Sequence, residues 1–411
     1  MEDIRRVEPP DLTASGMTVP ARRVFAEFLR LGLTSFGGPV AHIGYFRERF
    51  VRRLGWLDEA AFADLVALCQ FLPGPASSQL GMAIGQEKAG LGGALAAFIG
   101  FTLPSAAIMA LLAFGFVAGG APVDAGVLSG LAIVAVAVVA EAVRGMALSL
   151  ARGPLAATIA VAAAVVLLLV PGGFVQIVVL AAGGAAGIML ATASPAPAAA
   201  APPHGLSRRA GAVLLTLFAG LLLGLPMLAA ATGSAVIAFL SGLYRAGALV
   251  FGGGHVVLPL LQDAMVGQGF VPEQAFVAGY GAAQAMPGPL FSFSAWLGVS
   301  AGLPDPISGA FLAVLALFAP AFLLVVGAMP YWQGLRRVAA VRRALVGVNA
   351  AVVGLLAAAL YDPVFTTAIQ GWRDMALALA SYGLLAVLRV PSWLVVLFAA
   401  AGGWGLAHLA G

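Results

Sequence analysis

The tripeptide Pro-Gly-Pro occurs twice inside long apolar stretches, at Pro73-Gly74-Pro75 and at Pro287-Gly288-Pro289. Proline removes a backbone donor and clashes with the preceding turn, so each tripeptide predicts a broken helix. Where a helix restarts, its first N–H groups lack partners and its dipole end is positive, which suits an anion. Side-chain donors follow each break, namely Ser77, Ser78 and Gln79 in the first copy and Ser292 in the second. The pattern predicts an anion-binding site, with a structural kink in a packed helix as the alternative.

A glycine cluster precedes each of these breaks by about 35 residues. The first contains Gly37 and Gly38, followed by Pro39, and the second contains Gly252, Gly253 and Gly254. Missing side chains let the backbone approach a ligand closely, or let two helices pack closely in a membrane. Both interpretations place these segments in the protein interior, and we include the glycines among the substrate-binding candidates.

Ionisable groups within apolar segments form the third candidate set, because such groups are costly in a membrane and often functional. His42 and His255 follow the glycine clusters and could carry a coupled proton, although a structural role is the alternative for either. Glu141 lies three residues before Arg144, so a local ion pair is expected there and a proton site is the secondary interpretation.

Two arginines lie at matching positions before the glycine clusters, Arg30 and Arg245. A guanidinium group suits a tetrahedral oxyanion, which makes both residues candidates for anion capture. The alternative is that each side chain reaches towards the membrane interface.

The elements that must position these residues are membrane helices. The 411 residues are 62% hydrophobic and 9% charged, with a mean hydropathy of +1.03, whereas soluble proteins carry roughly 25% charged residues. Apolar runs of about 17–25 residues, the length that crosses a bilayer, recur along almost the whole chain. We therefore predict an all-α polytopic membrane protein. Cys69 is the only cysteine and the histidines show no ligand spacing, so no metal or cofactor is expected.

The chain divides into two similar halves. We expect a cytoplasmic tail at 1–21, a first half at 22–192, a Pro/Ala-rich linker at 193–209, a connecting transmembrane segment at 210–231 and a second half at 232–411. Each half contains about six apolar segments, including one at roughly 60–86 and its counterpart at 274–303. If every segment spans once, the connecting segment makes the halves inverted repeats with broken or re-entrant helices at their core. Loop charges do not decide whether the glycine-broken segments span or re-enter.

The chain resembles the long, two-domain form of the chromate ion transporter family. The stretches that carry the resemblance are FGGPVAHIGYFRERFVRRLGWLDEAAFADLVALCQFLPGPASSQLG, FGGGHVVLPLLQDAMV with GFVPEQAFVAGYGAAQAMPGP, and GVNAAVVGLLAAALYDPV. The resemblance covers nearly the whole chain apart from the tail and the linker. By position, it implies that the functional region includes the glycine and Pro-Gly-Pro clusters. One departure is that Gly254 stands where the first copy has Pro39.

This resemblance implies a secondary active transporter in the cytoplasmic (inner) membrane that exports chromate using the proton motive force. Transport of sulfate or another oxyanion is the alternative substrate class, and a passive anion channel is the alternative mechanism. A homodimer is compatible with the sequence. The net charge of +4 does not suggest nucleic acid, and the chain shows none of the common catalytic motifs, so we do not expect an enzyme.

Overall fold

The computed structural model describes residues 18–35, 38–118, 124–170, 173–192, 206–250, 257–284, 286–335 and 337–409. Every regular element in these ranges is helical, which confirms the predicted fold class. The first half contains α1 (Ala21–Thr34), α2 (Gly38–Phe46), α3 (Glu59–Phe71), α4 (Ala76–Ala118), α5 (Ala125–Leu150), α6 (Pro154–Leu169) and α7 (Gly173–Leu190).

The connecting segment forms α8 (Arg208–Thr232). The second half contains α9 (Ala235–Ala248), α10 (Val257–Met265), α11 (Glu273–Gln284), α12 (Phe293–Ala301), α13 (Pro306–Leu335), α14 (Ala339–Ala359), α15 (Thr366–Ala368), α16 (Trp372–Tyr382) and α17 (Ser392–Leu409). Within the described ranges, five stretches are long and apolar enough to cross a membrane: Ala76–Val117, Ser129–Leu148, Arg208–Thr232, Pro306–Trp332 and Ala339–Asp362.

Helix α4 is bent into two arms. Ala89 and Gly90 leave helical geometry, and Gly90 has a φ of +59°. A Cβ atom on Gly85 or on Gly93 would collide with the backbone of the other residue, so the two arms are packed against each other. We call residues 76–88 the short arm and residues 91–118 the long arm.

The Pro-Gly-Pro segment of the second half is a hairpin of two half-length helices. The indole N–H of Trp296, on α12, donates to the backbone oxygen of Ala275, on α11, at 2.8 Å. In one continuous helix these residues would lie about 31 Å apart, so α12 turns back along α11. The break therefore reverses the chain within segment 274–303, in agreement with the predicted broken or re-entrant helices at the core of each half.

Segment 60–86 of the first half turns back in the same way. Lys88 lies at the end of the short arm, and its carbonyl oxygen accepts from the backbone N–H of Val19. The Lys88 ammonium group interacts electrostatically with Asp58, the N-cap of α3. With 13 residues, α3 is about 20 Å long, less than the roughly 30 Å of a bilayer core. Each helix of this hairpin therefore reaches only part of the way across.

The two glycine-broken segments are hairpins as well. Glu27 of α1 forms an ion pair with Arg49 beyond α2 (2.6 Å), and the rings of Phe28 and Phe50 stack at 4.9 Å. In the second half, a Cβ atom on Gly242 of α9 would lie 3.2 Å from that of Ala264 on α10. Each half therefore contributes two re-entrant hairpins. The Pro-Gly-Pro sequence is at the tip of one, and the described residues nearest the tip of the other are Ser35 and Gly38 in the first half and Val250 and Val257 in the second.

The hairpins of the two halves enter from opposite faces. Along the long arm of α4, Ser105 meets Ser292 at the tip of the α11–α12 hairpin (Oγ–Oγ 2.6 Å). Further from the start of that arm, Phe116 meets Trp296 at a ring distance of 5.2 Å. The α12 helix thus extends away from the face on which the long arm begins.

Helix α13 shows the reverse relation. A Cβ atom on Gly74, at the α3–α4 tip, would lie 3.3 Å from Ala321, whereas Trp332, further along α13, donates to Asp64 of α3 at 3.2 Å. The two halves are therefore inverted repeats, as predicted.

Re-entrant hairpins change which helix ends share a face. The remaining helices run alternately between the two ends of the molecule, and Tyr331 near the end of α13 donates to the carbonyl of Arg208 at the start of α8. Most basic side chains at helix ends lie on one face of the molecule, which we call the arginine-rich face. Among the described residues, this face carries Arg22, Arg23, Arg47, Arg49, Arg52, Arg53, Lys88, Arg152, Arg208, Arg209, Arg337, Arg342, Arg343 and Arg389. At helix ends on the opposite face, the described residues include only Arg373.

Candidate functional site

The hairpin tips of the two halves touch in the middle of the molecule. The backbone N–H of Gly74 donates to the carbonyl oxygen of Val250 at 2.6 Å, and the N–H of Gly288 donates to that of Ser35 at 2.9 Å. Val250 and Ser35 directly precede the two Phe-Gly-Gly sequences. Each Pro-Gly-Pro tip is therefore joined to the glycine-cluster tip of the opposite half, and the two hydrogen bonds are equivalent by the repeat.

Glycine is required at both Pro-Gly-Pro tips. The φ angles are +129° at Gly74 and +89° at Gly288, in the region that favours glycine. A Cβ atom on Gly288 would lie 2.9 Å from the Ser105 hydroxyl oxygen and 3.2 Å from the Phe101 carbonyl oxygen. The missing side chain thus allows the backbone of the tip to reach the long arm of α4.

One tip contact is surrounded by polar groups. We call it the serine junction and define it by Ser35, His42, Ser77, Thr102, Ser105, Gly288 and Ser292. The His42 ring is fully buried; its Nε2 lies 3.2 Å from the Ser35 carbonyl oxygen and its Nδ1 lies 3.3 Å from the Ser77 hydroxyl. Because a carbonyl oxygen only accepts, Nε2 carries the proton and Nδ1 accepts from Ser77. His42 thereby links Ser77, near the start of the short arm of α4, to the Ser35 carbonyl that also accepts from Gly288.

Two buried hydroxyl groups of the serine junction have no hydrogen-bond partner. They are Oγ of Ser35 and Oγ1 of Thr102, on residues that are 0% and 2% exposed. Ser105, one turn after Thr102, donates to the Thr102 carbonyl oxygen and pairs with Ser292. An unpartnered buried hydroxyl costs about 1–3 kcal/mol. An acceptor-rich ligand at this junction would satisfy both donors.

The other tip contact is largely apolar. We call it the phenylalanine junction and define it by Gly74, Ser78, Val250, Val257, Phe291, Phe318 and Ala321. The rings of Phe291 and Phe318 pack at 5.8 Å. The buried hydroxyl of Ser78 has no partner. Nearby, Gln79 donates to the Pro73 carbonyl oxygen at 2.7 Å, and its own amide oxygen is unpartnered.

The predicted arginines lie outside both junctions. The side chains of Arg30 on α1 and Arg245 on α9 are exposed at the surface of the chain, so the hypothesis of anion capture by them stays a prediction. Glu141 forms the expected ion pair with Arg144 on α5, with N–O distances of 2.7 and 2.8 Å. Its role in proton coupling is not tested by this contact.

Several candidates lie outside the described residues: Gly37, Gly252, Gly253, Gly254 and His255. No group of three or more potential metal ligands occurs within the described ranges.

Charged groups gather at the outer ends of the first-half hairpins. Arg47, after α2, makes paired hydrogen bonds with Glu59, at the start of α3, at 2.8–3.1 Å. The Arg47 guanidinium lowers the pKa of the Glu59 carboxyl below its usual range. These exposed pairs tie the two hairpins together at the arginine-rich face, far from the tips.

Sequence reasoning missed Ser35, Thr102 and Ser105. Ser35 precedes the glycine cluster, and the other two flank Pro104, whose repeat partner is Pro320. Comparing the halves position by position would have shown them as polar residues matched by Val250, Phe318 and Ala321.

Inverted repeats, re-entrant hairpins and a buried polar site between their tips define a multi-pass membrane transporter of the class with broken helices at its centre. The family model described as "Chromate transporter" matches residues 22–188 and again residues 237–404, one match in each half. The chain belongs to the chromate transporter family.

Curated relatives extend over most of the chain. It is 30% identical over 388 residues to a chromate transport protein of Pseudomonas aeruginosa, covering 89% of this chain and 87% of the relative. It is 28% identical to a chromate transport protein of Cupriavidus metallidurans, covering 86% of each. A probable chromate transport protein of Synechococcus elongatus is 27% identical, with 92% and 93% covered. No solved structure gives a significant match.

Proposed function

We propose that this protein exports chromate from the cytoplasm across the inner membrane, driven by the proton motive force. The names of the relatives in Pseudomonas aeruginosa and Cupriavidus metallidurans support the substrate. The observation that carries the proposal is the serine junction, where hairpins from opposite faces meet around buried donors without partners. A site of this kind can open to either face when one pair of hairpins moves relative to the other.

The donors at the serine junction suit an oxyanion because they are neutral and numerous. Serine and threonine hydroxyls and a helix start offer hydrogen bonds to a dianion without a buried positive charge that would trap it. A transporter must release its substrate, so binding of moderate strength is an advantage. The same chemistry would accept sulfate, which is the second candidate substrate.

The distribution of basic residues supports an orientation. Cytoplasmic ends of membrane helices carry an excess of Lys and Arg, and the arginine-rich face holds fourteen of the fifteen that lie at helix ends in the described ranges. In this orientation the first-half hairpins enter from the cytoplasm and the second-half hairpins enter from the outside. The N-terminal tail then lies in the cytoplasm.

The membrane potential alone can drive export of a dianion. Moving one charge through 100 mV is worth about 2.3 kcal/mol, so two charges yield roughly 4.6 kcal/mol. That energy sustains a concentration ratio of more than about a thousandfold. A pH gradient would add to it if His42 exchanges a proton during the cycle.

The test is uptake of labelled chromate into proteoliposomes under separately imposed gradients. Chromate should accumulate towards a positive interior set by valinomycin and a potassium gradient, and excess sulfate should measure selectivity. An imposed pH gradient should increase accumulation in the wild type and not in His42→Gln, which retains hydrogen-bonding capacity without titrating. Carrier-type counterflow in both proteins would exclude a simple channel.

The outcomes separate the alternatives. No chromate uptake under any gradient would contradict the proposed substrate, and sulfate uptake in the same vesicles would point to the second candidate. Uptake with no counterflow would indicate a channel.

A further inference from the structure

We infer that only one of the two equivalent tip contacts, the serine junction, binds the transported anion, and that Ser35, Thr102 and Ser105 are binding residues there. The phenylalanine junction is its repeat partner without an anion site. This inference rests on the proposed function and deepens it by choosing between two places that the repeat makes equivalent.

Corresponding contacts in the structure show that the two junctions are equivalent. A Cβ atom on Gly288 would contact Ser105, and one on Gly74 would contact Ala321. Likewise, a Cβ atom on Gly32 would meet the Phe101 carbonyl oxygen, and one on Gly247 would meet that of Leu317. Both pairs relate the long arm of α4 to α13 by the same offset of 216 residues (321 minus 105, and 317 minus 101).

The two junctions differ at almost every equivalent side chain. In pairs from the serine junction to the phenylalanine junction, the residues are Ser35 and Val250, His42 and Val257, Ser77 and Phe291, Thr102 and Phe318, and Ser105 and Ala321. The packed rings of Phe291 and Phe318 occupy the place of two hydroxyl groups. Four hydroxyls and an imidazole are therefore replaced by apolar groups.

One serine is present at the same position in both repeats, and its hydrogen bonding differs between the two junctions. Ser292 and Ser78 are equivalent by the repeat and are 2% and 3% exposed. Ser292 pairs with Ser105 at 2.6 Å. The Ser78 hydroxyl has no partner, and Ala321, with a methyl group, stands at the position equivalent to Ser105. One unpartnered hydroxyl group in a largely apolar contact cannot replace the hydration shell of a dianion.

The serine junction, by contrast, carries several buried hydroxyl groups. The hydroxyls of Ser35 and Thr102 are unpartnered and buried, and the Ser292 hydroxyl can turn from Ser105 towards a ligand. A tetrahedral dianion presents acceptors in several directions at once, which suits hydroxyls contributed by three different segments. Chromate and sulfate share this geometry.

The test uses matched substitutions at equivalent positions. Binding of labelled chromate to the purified, detergent-solubilised full chain is measured by equilibrium dialysis for Ser105→Ala, Ser292→Ala, Ser78→Ala and Ala321→Ser, with counterflow measured in parallel. We expect Ser105→Ala and Ser292→Ala to weaken binding at least about tenfold, since each removes part of the donor set. Ser78→Ala and Ala321→Ser should stay within about twofold of wild type.

Control variants separate binding from folding and from the choice of substrate. Ser105→Thr retains the hydroxyl and should recover most of the binding lost in Ser105→Ala, which a packing defect would not. Equal losses at both junctions, or no loss at the serine junction, would overturn the inference. Absence of chromate binding and transport in the wild type would instead overturn the proposed function, and the same four variants would then be compared with labelled sulfate.

Discussion

Gly288 sets how closely the second-half tip approaches the long arm of α4. Its φ of +89° is strained for any other residue, and the Ser105 hydroxyl lies 2.9 Å from where a Cβ atom would be. The absence of a side chain thus serves the backbone geometry and the space at the serine junction together. The need for a left-handed backbone and the need for space beside Ser105 can be separated, because Gly302 in the same hairpin has only the first.

Gly288→Ala should therefore reduce chromate transport at least about tenfold, while Gly302→Ala should remain near wild type. Gly302 caps α12 with a φ of +64°, and a Cβ atom there would meet nothing within 4 Å. Both substitutions carry a left-handed backbone cost of about 1–2 kcal/mol, so they are matched in strain. The measurement is counterflow at equal reconstituted protein. Equal activity in the two variants would show that the space beside Ser105 is not needed.

At the scale of elements, the protein is built on hairpins of half-length helices that lie against longer ones. Gly85 against Gly93 and Gly298 against Gly309 allow each second hairpin to pack directly on the following helix, because a Cβ atom on any of the four would collide with backbone. Small residues at such contacts are the usual means of close helix packing in membranes. The tips are therefore held by rigid neighbours, although the helices that carry them are short.

The breaks could be predicted from the sequence, but their direction could not. Hydropathy is the same for one helix that spans the membrane and for two half-helices that turn back. A proline predicts only that the backbone hydrogen bonds of the helix are interrupted. The reversal depends on tertiary contacts, such as Trp296 donating to Ala275. Once the hairpins are known, the loop charges become decisive, because the arginines at 47–53 and at 152 and 208–209 fall on one face.

The hairpin geometry predicts which cysteines react from the same side. In a Cys69→Ser background, Gln268→Cys and Asp305→Cys flank the α11–α12 hairpin at exposed positions. Both should be labelled by a membrane-impermeant maleimide from one side, and Arg152→Cys should be labelled only from the other. If Gln268→Cys and Asp305→Cys react from opposite sides, segment 274–303 spans the membrane and the hairpin is refuted.

At the scale of the whole molecule, the inverted repeat creates two equivalent tip contacts, and substitutions have made them unequal. The repeat was visible in the sequence, and Gly74, Gly288 and Ser292 could be selected there as candidate site residues. Ser105 and Thr102 could not be selected as candidates, since they lie in a different apolar segment that the fold brings to the Gly288 tip. Likewise, His42 could be selected by its type, but its link to Ser35 and Ser77 required the structure.

Opposed hairpins also suggest how access can alternate. The first-half and second-half hairpins open towards different faces and are joined at the tips by the Gly74–Val250 and Gly288–Ser35 hydrogen bonds. Movement of one half against the other would loosen the serine junction towards one face at a time. An anion held there would pass between faces without a continuous pore.

The most direct measurement of this account is disulfide formation between Ser105→Cys and Ser292→Cys in native membranes, in a Cys69→Ser background. The two hydroxyl oxygens lie 2.6 Å apart across the halves, so the predicted result is rapid cross-linking of the first half to the second. Ala21→Cys with Gly92→Cys serves as a positive control within the first half, because a Cβ atom on Gly92 would lie 3.9 Å from that of Ala21, a spacing that suits a disulfide. Absence of the Ser105–Ser292 cross-link while the control pair forms would contradict the account.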